Sequence, residues 1–210
     1  MSAPALAHPP SARHALVLVA GNPNSGKSTV FNALSGARTR VANYPGVTID
    51  RRSATVALTG GRAIELTDLP GTYSLAARSR EEQIAVESLL GRGPRRPDAI
   101  LVVADATALA RALYLTIEIL EIGHPVVIAL NMTDEARRDG IDIDVERLEA
   151  LTGARVIPTV ASKGWAPMPC EPPWRRPSNG PTSRGCPTWR GPPPCKRTSP
   201  NWRASSCPSA

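Results

Sequence analysis

The stretch His14-Ala-Leu-Val-Leu-Val-Ala-Gly-Asn-Pro-Asn-Ser-Gly-Lys-Ser-Thr29 decides the fold. Its first seven residues form an apolar run bounded by glycine, the pattern of a buried parallel strand. Gly21, Gly26, Lys27 and Ser28 then satisfy G-x-x-x-x-G-K-[ST]. In such a loop the glycines let backbone N–H groups wrap a phosphate, the lysine adds a point charge, and the Ser28 hydroxyl is offered to Mg²⁺. Residues 27–36 follow with helical spacing, so the helix N-terminus faces the anion. A glycine-containing turn before a helix is the plainer reading, and the flanking strand and helix argue against it.

Downstream of the loop the chain alternates between two periods. Residues 37–48 are polar and read as a loop, while 51–58 and 62–68 alternate like two strands joined at Thr59-Gly-Gly61, an antiparallel hairpin. Helical spacing is expected over 81–90, 109–122 and 145–151, and apolar strands over 99–104, 125–130 and 155–160. Strands alternating with helices specify a three-layer α/β architecture of the P-loop kind. Six strands are expected, mostly parallel, with one antiparallel edge strand. Ligands in such sheets bind at the carboxyl ends of the strands.

Composition separates the chain into unequal parts. The formal net charge is +7, yet residues 165–210 hold seven Lys/Arg against the single acid Glu171, leaving about +1 for the rest. A charge excess confined to a tail is poor support for a nucleic-acid partner, and none is expected. That tail also carries 12 of the 22 prolines, all four cysteines and all four tryptophans, and no Leu, Ile, Val or Phe. It cannot bury enough aliphatic surface to offset chain entropy, so disorder is expected over 165–210 and over the Ala/Pro-rich residues 1–13. The abrupt change near Trp165 resembles translation of a GC-rich gene in the wrong frame. Cys170, Cys186, Cys195 and Cys207 include no C-x-x-C pair, which argues against zinc. The absence of cysteine before residue 165, and of a secretory or membrane-spanning run, points to a cytoplasmic chain.

Three further segments fall at strand ends. Asp68-Leu69-Pro70-Gly71 closes a strand, where Asp68 can hold Mg²⁺ through a water and the Gly71 N–H can meet a terminal phosphate. Asn131-Met132-Thr133-Asp134 closes another. The Asp134 carboxylate can accept from guanine N1–H and the 2-amino group, which adenine cannot supply, and Asn131 can tie this segment to the phosphate loop. The plainer reading is a helix cap at Thr133 or Asp134. Between them lies Asn43-Tyr-Pro-Gly-Val-Thr48, either an ordinary turn or a switch segment. In a switch, Thr48 would offer its hydroxyl to Mg²⁺ and its N–H to the γ-phosphate.

Taken together, Gly21-Asn-Pro-Asn-Ser-Gly-Lys-Ser28, Asn43-Tyr-Pro-Gly-Val-Thr48, Asp68-Leu-Pro-Gly-Thr-Tyr-Ser74 and Asn131-Met-Thr-Asp134 resemble the N-terminal GTPase domain of the bacterial ferrous-iron transport protein B family. The resemblance covers residues 14–164. It implies a GTP-binding domain that turns GTP into GDP and phosphate with Mg²⁺ and regulates ferrous-iron uptake across the bacterial inner membrane. It also implies a final guanine-contacting loop at Val160-Ala161-Ser162-Lys163, with backbone N–H groups near Ala161 and Ser162 reaching the base oxygen. Asn24 would be a K⁺ ligand, as in potassium-stimulated members, or else would only shape the loop. Nucleotide contacts are thereby expected from Gly21, Asn22, Pro23, Asn24, Ser25, Gly26, Lys27, Ser28 and Thr29, and from Gly46, Val47 and Thr48. Asp68, Leu69, Pro70, Gly71, Asn131, Met132, Thr133, Asp134, Val160, Ala161 and Ser162 complete the set. Lys27, Thr48 and Gly71 are the expected catalytic residues, and Ser28, Thr48 and Asp68 the expected Mg²⁺ ligands.

Departures from the pattern matter equally. Thr72 stands where Ras-like enzymes carry a water-positioning glutamine, so slow hydrolysis is expected. The family continues into a helical regulatory domain and a polytopic membrane domain, with the GTPase domain on the cytoplasmic side. Residues 165–210 can encode neither, nor a helix to cover the sheet after Val160. Exposed aliphatic surface is therefore expected on the strands near 14–20 and 155–160. Two other readings stand beside this one: a soluble regulatory or ribosome-associated GTPase, and a GTP-gated interaction module that barely hydrolyses.

Overall fold

The structure is a computed structural model that describes residues 14–36, 39–44, 47–58 and 61–163. The expectations for the N-terminal extension, the tail and the covering helix after Val160 fall outside the described residues. So does Gly46.

Strand β1 (Ala15–Gly21) lies at the centre of the sheet. Its alternation sends Leu16, Leu18 and Ala20 to one face and Val17 and Val19 to the other, which is why the run is apolar throughout. β4 (Ala63–Asp68) and β5 (Ala99–Asp105) flank it in parallel, followed outward on one side by β6 (Val126–Asn131) and β7 (Arg155–Pro158). On the other side β3 (Asp50–Ala57) pairs antiparallel with β4, and β2 (Thr39–Asn43) antiparallel with β3. The order is β2-β3-β4-β1-β5-β6-β7.

Helix α1 (Lys27–Ser35) covers one face through Val30 and Phe31, packed with Val17, Val19, Leu66 and Val103. The other face carries α2 (Arg80–Leu89), α3 (Leu109–Glu121) and α5 (Val145–Thr152), whose Leu89, Leu115, Ile119 and Leu148 meet Leu16, Leu18, Ile100 and Ile128. Side chains of this size, fully buried, contribute about 1.5–3 kcal/mol each. The expected three layers are present. No helix among the described residues is long and apolar enough to cross a membrane.

Three details depart from expectation. The sheet has seven strands rather than six, because β2 lies within the stretch read as a loop. Four of its five residues are exposed, so its hold comes from the backbone ladder to β3 and leaves no hydrophobic period to read. The antiparallel strand β3 is therefore internal, with β2 at the edge. A short α4 (Thr133–Arg138) also escaped the periodicity, since Ala136 alone is buried; acids in its first turn and arginines in its last suit the helix dipole. Finally, β1 is not laid bare: residues 16–20 are all buried, between α1 on one face and α3 on the other. On β7 the inward Val156 is buried, while Ile157 and Pro158 are partly covered.

Candidate functional site

The phosphate loop leaves β1 at Gly21 and enters α1 at Lys27. A turn closed by Ser25 N–H donating to the Asn22 carbonyl (3.2 Å) folds it back, with Asn24 exposed at a positive φ of 67°. Gly26 takes φ 80°, ψ 18° as the N-cap of α1, a left-handed geometry that favours glycine. Space dictates the same choice: a Cβ on Gly26 would stand 2.2 Å from Asn131 Nδ2, and one on Gly21 would stand 2.6 Å from the Val103 carbonyl oxygen. The loop is thus pressed against its neighbours as tightly as backbone allows. Ser28 and Thr29 follow on the exposed side of the first helical turn. Within the loop, the buried Asn22 Oδ1 and Ser25 Oγ have no protein partner among the described residues.

Asn131, at the end of β6 and 3% exposed, binds two other loops at once. Its Nδ2 donates to the Ser25 carbonyl (3.0 Å), while its Oδ1 accepts from Ala161 N–H (3.1 Å) and lies 3.4 Å from the Thr159 hydroxyl. The tie to the phosphate loop expected from sequence is therefore present. Thr159 also receives Thr133: its carbonyl accepts from the Thr133 hydroxyl at 3.2 Å and from its N–H at 3.5 Å. Thr133 consequently starts α4 against Thr159, and Asp134 follows it in the first turn. The reading of Thr133 or Asp134 as a side-chain cap is not realised, because Met132, in left-handed geometry, is the N-cap and no side chain caps the helix. The Asp134 carboxylate pairs instead with Arg138 at 3.3 Å. Val160 is partly covered, Ala161 buried and Ser162 exposed.

At the other end of the loop, Lys27 Nζ donates to Asp68 Oδ1 at 2.5 Å, both side chains being about nine-tenths buried. Gly71 lies against Pro23, whose ring and backbone would stand 3.1–3.2 Å from a Cβ placed there. Thr72 N–H donates to the Gly21 carbonyl (3.3 Å), and the Thr72 hydroxyl is spent on the Ser74 carbonyl (2.7 Å). A cavity of about 380 Å³ opens beside Lys27, lined by Thr48, Ile49, Asp50, Arg52, Asp68, Leu69, Pro70 and Glu81. It brings together Lys27, Thr48, Asp68, Leu69 and Pro70 from the expected set. Asn131, Asp134 and Ala161 do not line that cavity.

Sequence reasoning missed five residues here. Ile49, Asp50, Arg52 and Glu81 line the cavity without belonging to any motif. Tyr44, read only as part of a turn, is buried: its hydroxyl donates to the Asp68 carbonyl (3.2 Å), and its N–H donates to the Ile49 carbonyl (2.9 Å). It thereby staples the 44–49 segment to the strand that carries Asp68. Burial pushes its pKa up to about 12, against an opposing pull from Arg51 and with a smaller push from Asp68. The available signal was an aromatic residue in a chain with 4% aromatics, set between polar neighbours.

A model of the family described as ferrous iron transport protein B matches residues 15–166. The chain belongs to that family. The matched region takes in all seven strands and the four loops described above. An Fe(2+) transporter FeoB of Legionella pneumophila is 50% identical over 154 residues, 71% of this chain and 20% of the relative. The chain thus spans about a fifth of the length of the curated ferrous iron transport protein B relatives it matches. Among solved structures, the cytosolic domain of L. pneumophila FeoB superposes with a TM-score of 0.67 at 49% identity, covering 72% of this chain and 63% of that one. A point mutant of S. thermophilus NFeoB bound to GDP gives 0.65 at 44% identity, covering 71% and 57%.

Proposed function

We propose that this chain is the GTPase domain of a ferrous-iron transport protein B: it binds GTP, hydrolyses it slowly to GDP and phosphate with Mg²⁺, and so controls an iron path carried by the rest of such a protein. The observation that supports the reading most is the glycine cradle, closed by Asn131 and opening beside Lys27 and Asp68. The GDP in the S. thermophilus relative supports the choice of ligand. The fit is tested by the loop itself: at Gly26 and Gly21 a methyl group has no room, and two buried polar atoms, Asn22 Oδ1 and Ser25 Oγ, have no protein partner.

In this reading Lys27 and the loop N–H groups hold phosphate charge, at the N-terminus of α1. Ser28, Thr48 and Asp68 would hold Mg²⁺, since two hydroxyls and a carboxylate are the hard oxygens that ion takes. Held by these residues, such an ion would supply positive charge against the phosphates. Lys27 and Asp68 pair with each other in this structure, so nucleotide and ion together must replace that pair. Gly71 can present its N–H to a terminal phosphate. The Thr72 hydroxyl donates to the Ser74 carbonyl and is buried, and the side chain carries no amide to orient water, which supports slow turnover. Asn24, exposed in the loop, is the proposed K⁺ ligand. Asp134 selects guanine, and backbone N–H groups near Ala161 and Ser162 meet the base oxygen. The helical and membrane domains of the family are the proposed partners, with this domain on the cytoplasmic side.

The test is calorimetric titration with GTP, GDP and ATP, followed by phosphate release in Na⁺ and in K⁺. Guanine selectivity of at least about tenfold and Mg²⁺-dependent release are expected. Equal affinity for ATP and GTP would refute the reading.

A further inference from the structure

Arg51 and Arg52 are consecutive on β3, and the strand period sends them to opposite faces. Arg51 is committed: its Nη2 lies 3.2 Å from Glu65 Oε1. Arg52 shares its face with the buried Ala54, pairs directly across the ladder with Asp68, and lines the cavity that holds Lys27 and Thr48. Among the described residues its side chain makes no hydrogen bond or ion pair.

The cavity has two cations on its wall, Lys27 and Arg52, facing Asp50, Asp68 and Glu81. They sit at different depths. Lys27 begins the helix that follows the loop, whereas Arg52 stands two strands away from β1 in the order β3-β4-β1. Two strand spacings amount to about 10 Å. In the nucleotide reading above, a diphosphate in the loop would lie beside Lys27, and a third phosphate would extend its charge into the cavity that Arg52 also lines. A guanidinium suits that position: its planar fork can take two phosphate oxygens at once, and its charge is permanent.

We infer that Arg52 contacts the terminal phosphate of the bound nucleotide and makes the site favour a nucleoside triphosphate over the diphosphate. This rests on the nucleotide reading above and adds to it a residue that none of the four motifs contains. It also gives the site a means of distinguishing its substrate from its product. Lys27 acts on both ligands, while Arg52 acts on the longer one alone. Thr48, two residues before Asp50, shares the cavity wall with Arg52.

The test compares Arg52→Gln, Arg52→Lys and Arg51→Gln in the full chain, titrated with GDP and with a non-hydrolysable GTP analogue at fixed Mg²⁺ and two salt concentrations. Arg52→Gln should weaken the triphosphate analogue by at least about tenfold while GDP affinity stays within about twofold, and Arg52→Lys should recover part of the loss. Arg51→Gln should leave the ratio of the two affinities unchanged and lower the unfolding temperature instead. An unchanged ratio in Arg52→Gln, or equal loss for both nucleotides, overturns the inference while leaving the nucleotide reading intact. A wild-type chain that binds neither nucleotide overturns both.

Discussion

Replacing Asn131 by Asp changes one atom at the point where three loops meet, and the structure sets what that costs. The Oδ1 contacts to Ala161 N–H and the Thr159 hydroxyl can survive, because a carboxylate oxygen still accepts. The Nδ2 donor cannot: an oxygen would stand 3.0 Å from the Ser25 carbonyl oxygen, at a side chain only 3% exposed. Losing the bond leaves a buried carbonyl unpaired, which costs about 1–3 kcal/mol, and burying an unpaired charge adds more. A total of about 2–5 kcal/mol is a large part of a domain's stability and corresponds to a fall of roughly 5–15 °C in Tm. The phosphate loop loses its anchor at Ser25, so nucleotide affinity should fall more steeply than stability. Thermal unfolding monitored by circular dichroism, with and without GDP, separates the two. The wild type should gain stability from GDP and the variant little. An Asn131→Asp chain that melts within 2 °C of wild type and keeps its GDP-dependent shift would refute the role assigned to this side chain.

Other substitutions probe the remaining parts of the site. Asp134→Asn should cut the preference for GTP over ATP by about 10- to 100-fold, read by competition titration, with melting little changed because its exposed pair with Arg138 contributes little. Gly71→Ala brings a methyl to 3.1 Å from Pro23, so the segment after Asp68 must shift; single-turnover hydrolysis should fall at least about tenfold with GDP affinity retained. Tyr44→Phe removes the bond to the Asp68 carbonyl and should cost about 1 kcal/mol at neutral pH. The pH dependence has a definite sign: the folded Tyr44 pKa of about 12 lies above the ordinary 10, so its stabilising contribution is complete below pH 10 and is lost as pH rises from 10 toward 12. Urea unfolding should show this alkaline loss in wild type and a weaker one in Tyr44→Phe.

What the amino-acid order determined by itself is local. Apolar runs gave β1, β5 and β6, because a strand buried on both faces needs no partner to be recognised, and alternation gave β3 and β4. The 3.6-residue period of Leu115 and Ile119 marked α3, and Gly21 and Gly26 marked the phosphate loop, because only glycine fits where backbone comes this close. Tertiary structure decided everything whose support comes from another part of the chain. β2 exists through its ladder to β3, so its own residues carry no period. Asn131 was legible as a residue type, but its three partners lie 28 to 106 positions away and only the fold assembles them. The division of Arg51 from Arg52 is the sharpest case: one side chain faces Glu65 and the other lines the cavity beside Lys27, because β3 is paired with β4 in one register, and a shift by a single residue would exchange them.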